Sequence, residues 1–322
     1  MSDAPAQSPR GREADAVRVL YVGGLPRSGS TLTDLLLHHL PGHIGVGELF
    51  YLWRNCVVED GLCSCGDRFS RCDFWQAVGD EAYGGWDNVD VADVLAWQAT
   101  VDTTSAIPRM LALPRAGDFG QTLARYTEVL ALLYRAIRRV SGKDVVVDSS
   151  KRPSLAFILR GMPSIALDVV QVVRDPRGVA YSFGKHVALE PGVALKAEMP
   201  RSSARKVARR WVTVNAAIAS LARLGVPLVR IRYEDLVLQP ERELRRVLAL
   251  EHADPDAGGL DFLTPEGVVI PATHSIASGR IRLQTGVIPL RLDDAWRTAM
   301  PARDQRLVGA ITALSRRRYG YP

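Results

Sequence analysis

At 322 residues with 47% hydrophobic content, the chain is long enough for one large domain or two small ones and carries ample material for a packed core. A charged fraction of 24% and an aromatic fraction of 7% exclude a disordered, fibrous or disulfide-dense scaffold. The net charge of +6 does not argue for nucleic-acid binding: only five of the 41 basic residues are lysines, coding bias explains the arginine excess, and no stripe of basic and aromatic residues stands out.

Residues 1–16 are small, polar and charged, so a flexible leader is expected there and not a signal peptide. Four short, nearly continuous apolar runs follow, Val17 to Gly23, Asp144 to Asp148, Leu167 to Val173 and Pro227 to Arg232, each reading as a buried parallel strand. Helical patterns separate them at Thr31 to Leu40, Gln121 to Val140, Pro176 to Val187 and Ser203 to Leu224, and a helical tail runs from Asp293 to Tyr319. The alternation predicts an α/β fold, a P-loop-like doubly wound parallel sheet flanked by helices. A single domain over residues 17–322 is expected, with a mainly helical insertion at about 50–142. No apolar run approaches the roughly 18 residues that cross a bilayer, so no transmembrane segment and a cytoplasmic location are expected.

The first strand runs directly into Gly23-Gly24-Leu25-Pro26-Arg27-Ser28-Gly29-Ser30-Thr31, and the helical pattern Leu32, Leu35, Leu36, Leu37, Leu40 begins at once. Strand, glycine-rich loop and helix in that order form an anion cradle, with backbone N–H groups and the positive helix end facing the ligand. Gly24 and Gly29 have the separation of a Walker A loop, but Ser30 stands where its lysine would be and the nearest cation is Arg27. A nucleoside triphosphate needs that lysine and Mg²⁺; a singly charged sulfonate does not. A second anion site is readable at Arg174-Asp175-Pro176-Arg177-Gly178, where a strand ends and a helix begins, with Ser182 two turns along it.

The loop closely resembles the 5′-phosphosulfate-binding loop of the sulfotransferase family that uses 3′-phosphoadenosine-5′-phosphosulfate (PAPS), in its bacterial P-R-S-G-S-T form. The resemblance implies that Arg27, Ser28, Gly29, Ser30 and Thr31 hold the 5′-phosphate and the sulfonate, and that Arg174 and Ser182 grip the 3′-phosphate. Tyr233-Glu234-Asp235-Leu236 is similar to the family's segment near the adenosine, and Trp211 and Asn215 to its W-x-x-x-N helix. Thr273-His274-Ser275-Ile276, with Gly279, Arg280 and Arg282, resembles the late segment that closes over the nucleotide; which arginine reaches the donor is left open. The implied activity is transfer of the sulfonate of PAPS, as co-substrate and without a catalytic metal, to a hydroxyl or amine of a small-molecule, lipid or carbohydrate acceptor.

Such an in-line transfer needs a base for the acceptor proton. The short run Ile44 to Val46 delivers Glu48 to the carboxyl edge of the sheet, where doubly wound folds bind ligands, which makes Glu48 the candidate base. Asp148-Ser149-Ser150-Lys151 follows the second strand to the same edge. Lys151 is the candidate for stabilising the departing phosphate together with Arg27, and Asp148 either holds Lys151 or competes as base. The rival readings are a P-loop ATP-dependent kinase and a non-catalytic nucleotide-binding protein.

All four cysteines, Cys56, Cys63, Cys65 and Cys72, fall in one window. Their spacing is compatible with a structural zinc site, a local disulfide or free buried thiols, and no metal ligand is assigned. The tryptophans and tyrosines around them, Trp53, Trp75, Tyr83, Trp86 and Trp97, are candidate walls of an acceptor pocket or ordinary core.

Overall fold

The computed structural model describes residues 16–112, 117–185, 201–252, 259–276 and 280–322, without the side chains of 280 and 281. The leader expected over residues 1–16 lies, but for its last residue, outside them. Strand β1 (Val17–Gly23) leads into α1 (Ser30–His38), and β2 (His43–Gly47) follows. Between β2 and β3 (Val145–Lys151) the chain makes a 3-10 turn, a seven-residue π-helical turn and helices α2 (Asp73–Tyr83), α3 (Val91–Val101), α4 (Ile107–Leu111) and α5 (Gly117–Ser141). Helix α6 (Pro153–Arg160), β4 (Ile165–Val173), α7 (Pro176–Gly184), α8 (Ala204–Arg223) and β5 (Leu228–Arg232) complete the main sheet. After α9 (Tyr233–Leu238) and α10 (Pro240–Leu250) come three short strands, β6 (Leu263–Thr264), β7 (Gly267–Ile270) and β8 (Gly286–Ile288), then α11 (Trp296–Ala299) and α12 (Ala302–Arg318).

The main sheet is wholly parallel, in the order β2-β3-β1-β4-β5. Its strands are apolar on both faces because both faces are covered. Val19 and Tyr21 of β1, with Val146 and Val169, meet α5, α6 and the segment between β2 and α2. Leu20 and Val22, with Val147, Val170 and Val172, meet Leu35, Leu36 and Leu37 of α1 and Leu244, Val247 and Leu248 of α10. A third cluster, including Leu25, Trp211, Trp296, Val308 and Tyr319, packs α7, α8 and α12 against the end of β4. This is the doubly wound, P-loop-like α/β architecture read from the sequence.

Several boundaries differ from the sequence reading. Strand β3 continues past Asp148, the expected end of the run, through Ser149 and Ser150 to Lys151, all buried. The tail is broken between α11 and α12 at Pro301, which has no N–H to continue a helix. Strands β6 to β8 form a separate antiparallel sheet that was not anticipated. Residues 186–187, the expected end of the helix from Pro176, are outside the described residues. Among the described residues no helix is long and apolar enough to cross a membrane.

Candidate functional site

The phosphate loop, the Arg174 segment, Glu48 and Lys151 all come to the carboxyl edge of the sheet. Register pairs Gly23, the last residue of β1, with Lys151 of β3 on one side and Gln171 of β4 on the other. The phosphate loop therefore leaves the sheet between the strand that carries Lys151 and the strand that leads to Arg174, and β2 beyond β3 leads to Glu48. The crevice outside strand ends is where open α/β sheets bind ligands.

The loop is held in a form few sequences can adopt. Gly29 caps α1 with φ 92°, and a Cβ added there would run into the ring of Tyr233. Arg27 takes φ 73°, the left-handed region that costs a side-chain-bearing residue about 1–2 kcal/mol and is retained mainly at functional sites. The hydroxyl of Ser28 is buried and has no hydrogen-bond partner among the described residues. An oxyanion in the loop would satisfy it. Ser30 is buried at the first turn of α1, where N–H groups have no helical partner.

The second anion segment touches the first. Buried Arg174 donates from Nη1 to the Arg27 carbonyl at 3.2 Å, and the Arg27 guanidinium meets Ser182 Oγ at 3.5 Å. Burial lowers the pKa of Arg27 from its ordinary value. Arg174 also lies over the Tyr233 ring, 4.5 Å from its centroid, and its Nη2 pairs with Asp293 Oδ2 at 3.1 Å. Asp293 also faces Lys185 at 3.7 Å. Burial pushes the Asp293 carboxyl up, but Arg174 and Lys185 outweigh it and hold it below the usual carboxylate range. The strand end bearing Arg174 is fixed by Trp211, whose Nε1 donates to the Arg174 carbonyl at 3.0 Å, while Asn215 supports Trp211 from one turn away at 2.9 Å. Glu234 accepts from the Asp175 N–H at 3.1 Å and from Tyr321 Oη at 2.6 Å, tying the Y-E-D-L segment to the same edge.

On the other side of β1, Glu48 and Lys151 form an ion pair at 2.5 Å, with side-chain exposures of only 10% and 7%. Both backbones are specialised. Lys151 has φ 67°, and Gly47, just before Glu48, has φ 79° with the Ile276 carbonyl against the position a Cβ would take. The chain of Ile276 zips onto β2 at that point: its N–H donates to Val46 O at 3.0 Å, and the Glu48 N–H donates to its carbonyl at 3.1 Å. Asp148 is saturated, accepting from Tyr134 Oη at 2.5 Å, from Ser150 N at 2.8 Å and Oγ at 2.5 Å, and from the Leu49 N–H. Burial raises its pKa to about 6 against these bonds. With Ser150 Oγ accepting from the Phe50 N–H at 3.0 Å, Asp148 and Ser150 clamp the turn that presents Glu48. Asp34 of α1 lies fully buried beneath them, raised to about 7 by burial despite a hydrogen bond from Ser149 and the field of Lys151.

Arg282 is buried but aims elsewhere, donating to the carbonyls of Ser275 at 3.0 Å and Leu62 at 3.1 Å, and burial lowers its pKa. The side chain of Arg280 and residue Gly279 lie outside the described residues. Trp53, Trp75 and Trp86 are buried in one interlocked aromatic cluster with Phe69 and are core, not pocket wall. Sequence reasoning missed Asp293, Asp34 and Tyr134, none of which sits in a recognisable motif.

At its strand ends the parallel sheet of this α/β fold thus presents a glycine-rich loop without lysine, a second arginine and a buried carboxylate–ammonium pair, groups with the chemistry to hold an anion and to move a proton. Residues 20–254 match the model described as the Sulfotransferase family, and the chain belongs to that family. It is a transferase of that kind. Solved structures similar to it include the sulfotransferase domain from the Synechococcus PCC 7002 olefin synthase, at 18% identity over 92% of this chain and 95% of that one with a TM-score of 0.45. The sulfotransferase domain from the curacin biosynthetic pathway has the same identity and TM-score, covering 92% and 98% of the two chains. Sulfotransferase STF9 from Mycobacterium avium follows at 15% identity, 78% and 68% coverage and a TM-score of 0.42. These likenesses are distant, and the family assignment comes from the sequence match. No curated protein matches the chain.

Proposed function

We propose that the chain transfers the sulfonate of PAPS to a hydroxyl or amine of a small-molecule, lipid or carbohydrate acceptor, releasing 3′-phosphoadenosine-5′-phosphate. The observation that carries the reading is the contact of the two anion segments, Arg174 on the Arg27 carbonyl and Arg27 on Ser182, with the Glu48–Lys151 pair on the far side of β1. A donor with one phosphate at each end of its ribose fits the first feature, and a proton acceptor beside a cation fits the second.

In this reading the phosphate loop, Arg27, Ser28, Gly29, Ser30 and Thr31, holds the 5′-phosphosulfate. Arg174 and Ser182 hold the 3′-phosphate, which competes with Asp293 for the Arg174 guanidinium, and Tyr233 packs beside the adenosine. Glu48 takes the acceptor proton as the acceptor oxygen or nitrogen forms its bond to sulfur. The bond from sulfur to the 5′-phosphate oxygen breaks, its electron pair leaves with that oxygen, and Lys151 and Arg27 stabilise the charge arriving there, an electrostatic effect worth several kcal/mol in a dry site. Asp148, saturated by its four donors, positions the Glu48 turn and does not act as the base. Arg282 serves as a brace between two loops.

The test is incubation with ³⁵S-labelled PAPS and a panel of alcohols, phenols, sugars and amines, beside γ-labelled ATP with Mg²⁺. Transfer of ³⁵S with stoichiometric release of 3′-phosphoadenosine-5′-phosphate is expected. Phosphoryl transfer from ATP to the same panel would replace this reading with a kinase.

A further inference from the structure

Three of the four cysteines converge with a histidine that lies about two hundred positions further along the chain. The donor atoms of Cys63, Cys65, Cys72 and His274 all lie within 4.8 Å of one another. Cys72 Sγ is 3.6 Å from Cys63 Sγ, 3.7 Å from Cys65 Sγ and 3.2 Å from His274 Nδ1, and Cys63 Sγ is 3.9 Å from the same nitrogen. With zinc–sulfur and zinc–nitrogen bonds of about 2.3 and 2.0–2.1 Å, a tetrahedron has sulfur–sulfur edges of about 3.8 Å and sulfur–nitrogen edges of about 3.6 Å. Four of the six edges between the donors lie within about 0.4 Å of these values, and the other two are no longer than 4.8 Å, so the four donors need only small adjustments to enclose an ion. A disulfide is not formed: all four cysteines are free, and the sulfurs are far beyond the roughly 2.05 Å of an S–S bond.

The surroundings are those of a metal knuckle. Backbone N–H groups of Cys65, Asp67 and Trp75 bond to the sulfurs of Cys63, Cys65 and Cys72 respectively, as thiolates require. Gly66, with φ 100°, turns the chain between the first two cysteines and the third. The His274 ring is held in place by Phe74, stacked at 4.9 Å, and its carbonyl accepts from Trp75 Nε1 at 2.8 Å. Cys63 and Cys72 are buried while Cys65 is half-exposed, which leaves a way in for an ion.

We propose that Cys63, Cys65, Cys72 and His274 bind one structural Zn²⁺ that pins the cysteine loop to the segment lying beside Glu48. Three soft thiolates and an imidazole in tetrahedral array select zinc over hard cations, and with all four positions filled by protein the ion has no open site for chemistry. Binding releases the thiol protons. The joint continues from the metal to the catalytic edge. Ser64 N–H donates to Ser275 O at 3.1 Å, and Ser64 Oγ meets Thr273 Oγ1 at 2.6 Å. Arg282 spans the carbonyls of Leu62 and Ser275, and Ile276, two residues after His274, makes the pair of bonds to Val46 and Glu48. Cys56 stands outside the cluster.

The test is elemental analysis of the full chain purified without chelator and under reducing conditions, with thiol counting before and after a strong zinc chelator. About one zinc per chain is expected in the wild type and in Cys56→Ser, and less than roughly a tenth of that in His274→Ala and Cys72→Ser. His274→Cys, which restores four ligands, is expected to keep the zinc, so loss in His274→Ala cannot be put down to misfolding. Cobalt in place of zinc is expected to give intense tetrahedral visible bands and thiolate charge-transfer absorption. Fewer than about a tenth of a zinc per wild-type chain after zinc-supplemented growth, iron as the bound metal, or a Cys63–Cys72 disulfide in the purified protein would each overturn the proposal.

Discussion

The Glu48–Lys151 pair is either a catalytic couple or a structural salt bridge, and a double-mutant cycle separates the two. Both side chains are nearly withdrawn from water, so neutralising one leaves the other buried without its partner, a loss of about 3–5 kcal/mol. At roughly 2 °C per kcal/mol for a chain of this size, Glu48→Gln or Lys151→Met alone is expected to lower the melting temperature by roughly 6–10 °C. The double variant removes both charges together and is expected to recover most of that loss, since neutral pairs of similar volume often match a buried ion pair. Turnover follows a different pattern. Removing a general base costs on the order of 10²- to 10⁴-fold, so Glu48→Gln is expected to lose that much and the double variant to remain at least as inactive despite its regained stability. Thermal melts, ³⁵S-transfer rates and binding of 3′-phosphoadenosine-5′-phosphate supply the three readouts, with donor binding largely kept in Glu48→Gln. A double variant that recovers turnover along with its melting temperature would sink the catalytic assignment.

Gly47→Ala forces a Cβ against the Ile276 carbonyl at φ 79°, and the left-handed conformation alone costs about 1–2 kcal/mol. It is expected to cut turnover at least tenfold through the displaced Glu48 turn while donor affinity, read by calorimetry, stays within about threefold of wild type. Stability is expected to fall as pH rises from about 4 to 7. Burial raises Asp34 to about 7 and Asp148 and Asp102 to about 6, so across that window the folded chain holds protons that the unfolded chain has released. Stability from these groups is full below the ordinary carboxyl range and lost as pH passes their raised values. Asp34→Asn removes its share, on the order of 4 kcal/mol, and is expected to flatten denaturant-derived stability between about pH 4 and 7; an unchanged pH slope contradicts the burial argument.

The sheet was legible because its strands are apolar on both faces: the run Val17 to Gly23 coincides with β1, and the loop after it is punctuated by glycines that geometry demands. The end of β3 was less readable because Ser149, Ser150 and Lys151, beyond the run that ends at Asp148, look like a loop until the partners of this stretch are known. Two of those partners, Phe50 and Glu48, lie far off in sequence, and Tyr134, on the helix just before β3, carries no motif that ties it to Asp148. Strands β6 to β8, of two to four residues, are too short for a period-two pattern to register. His274 could not be attached to the cysteines by spacing, since it reaches them through the late segment zipping onto β2. Asp293 was hidden at the entry to the tail, where no motif marks it as the partner of Arg174.

The central claim, that the two anion segments recognise a donor with both a 5′- and a 3′-phosphate, is tested most directly by calorimetric titration of wild type and Arg174→Ala with 3′-phosphoadenosine-5′-phosphate, AMP, and ATP with Mg²⁺. The account predicts that wild type prefers 3′-phosphoadenosine-5′-phosphate over AMP by about 10- to 100-fold, as charge-assisted hydrogen bonds worth about 1.5–3 kcal/mol imply, and that Arg174→Ala loses this preference while still binding AMP. Equal affinity for AMP, or tighter binding of ATP with Mg²⁺, would contradict it.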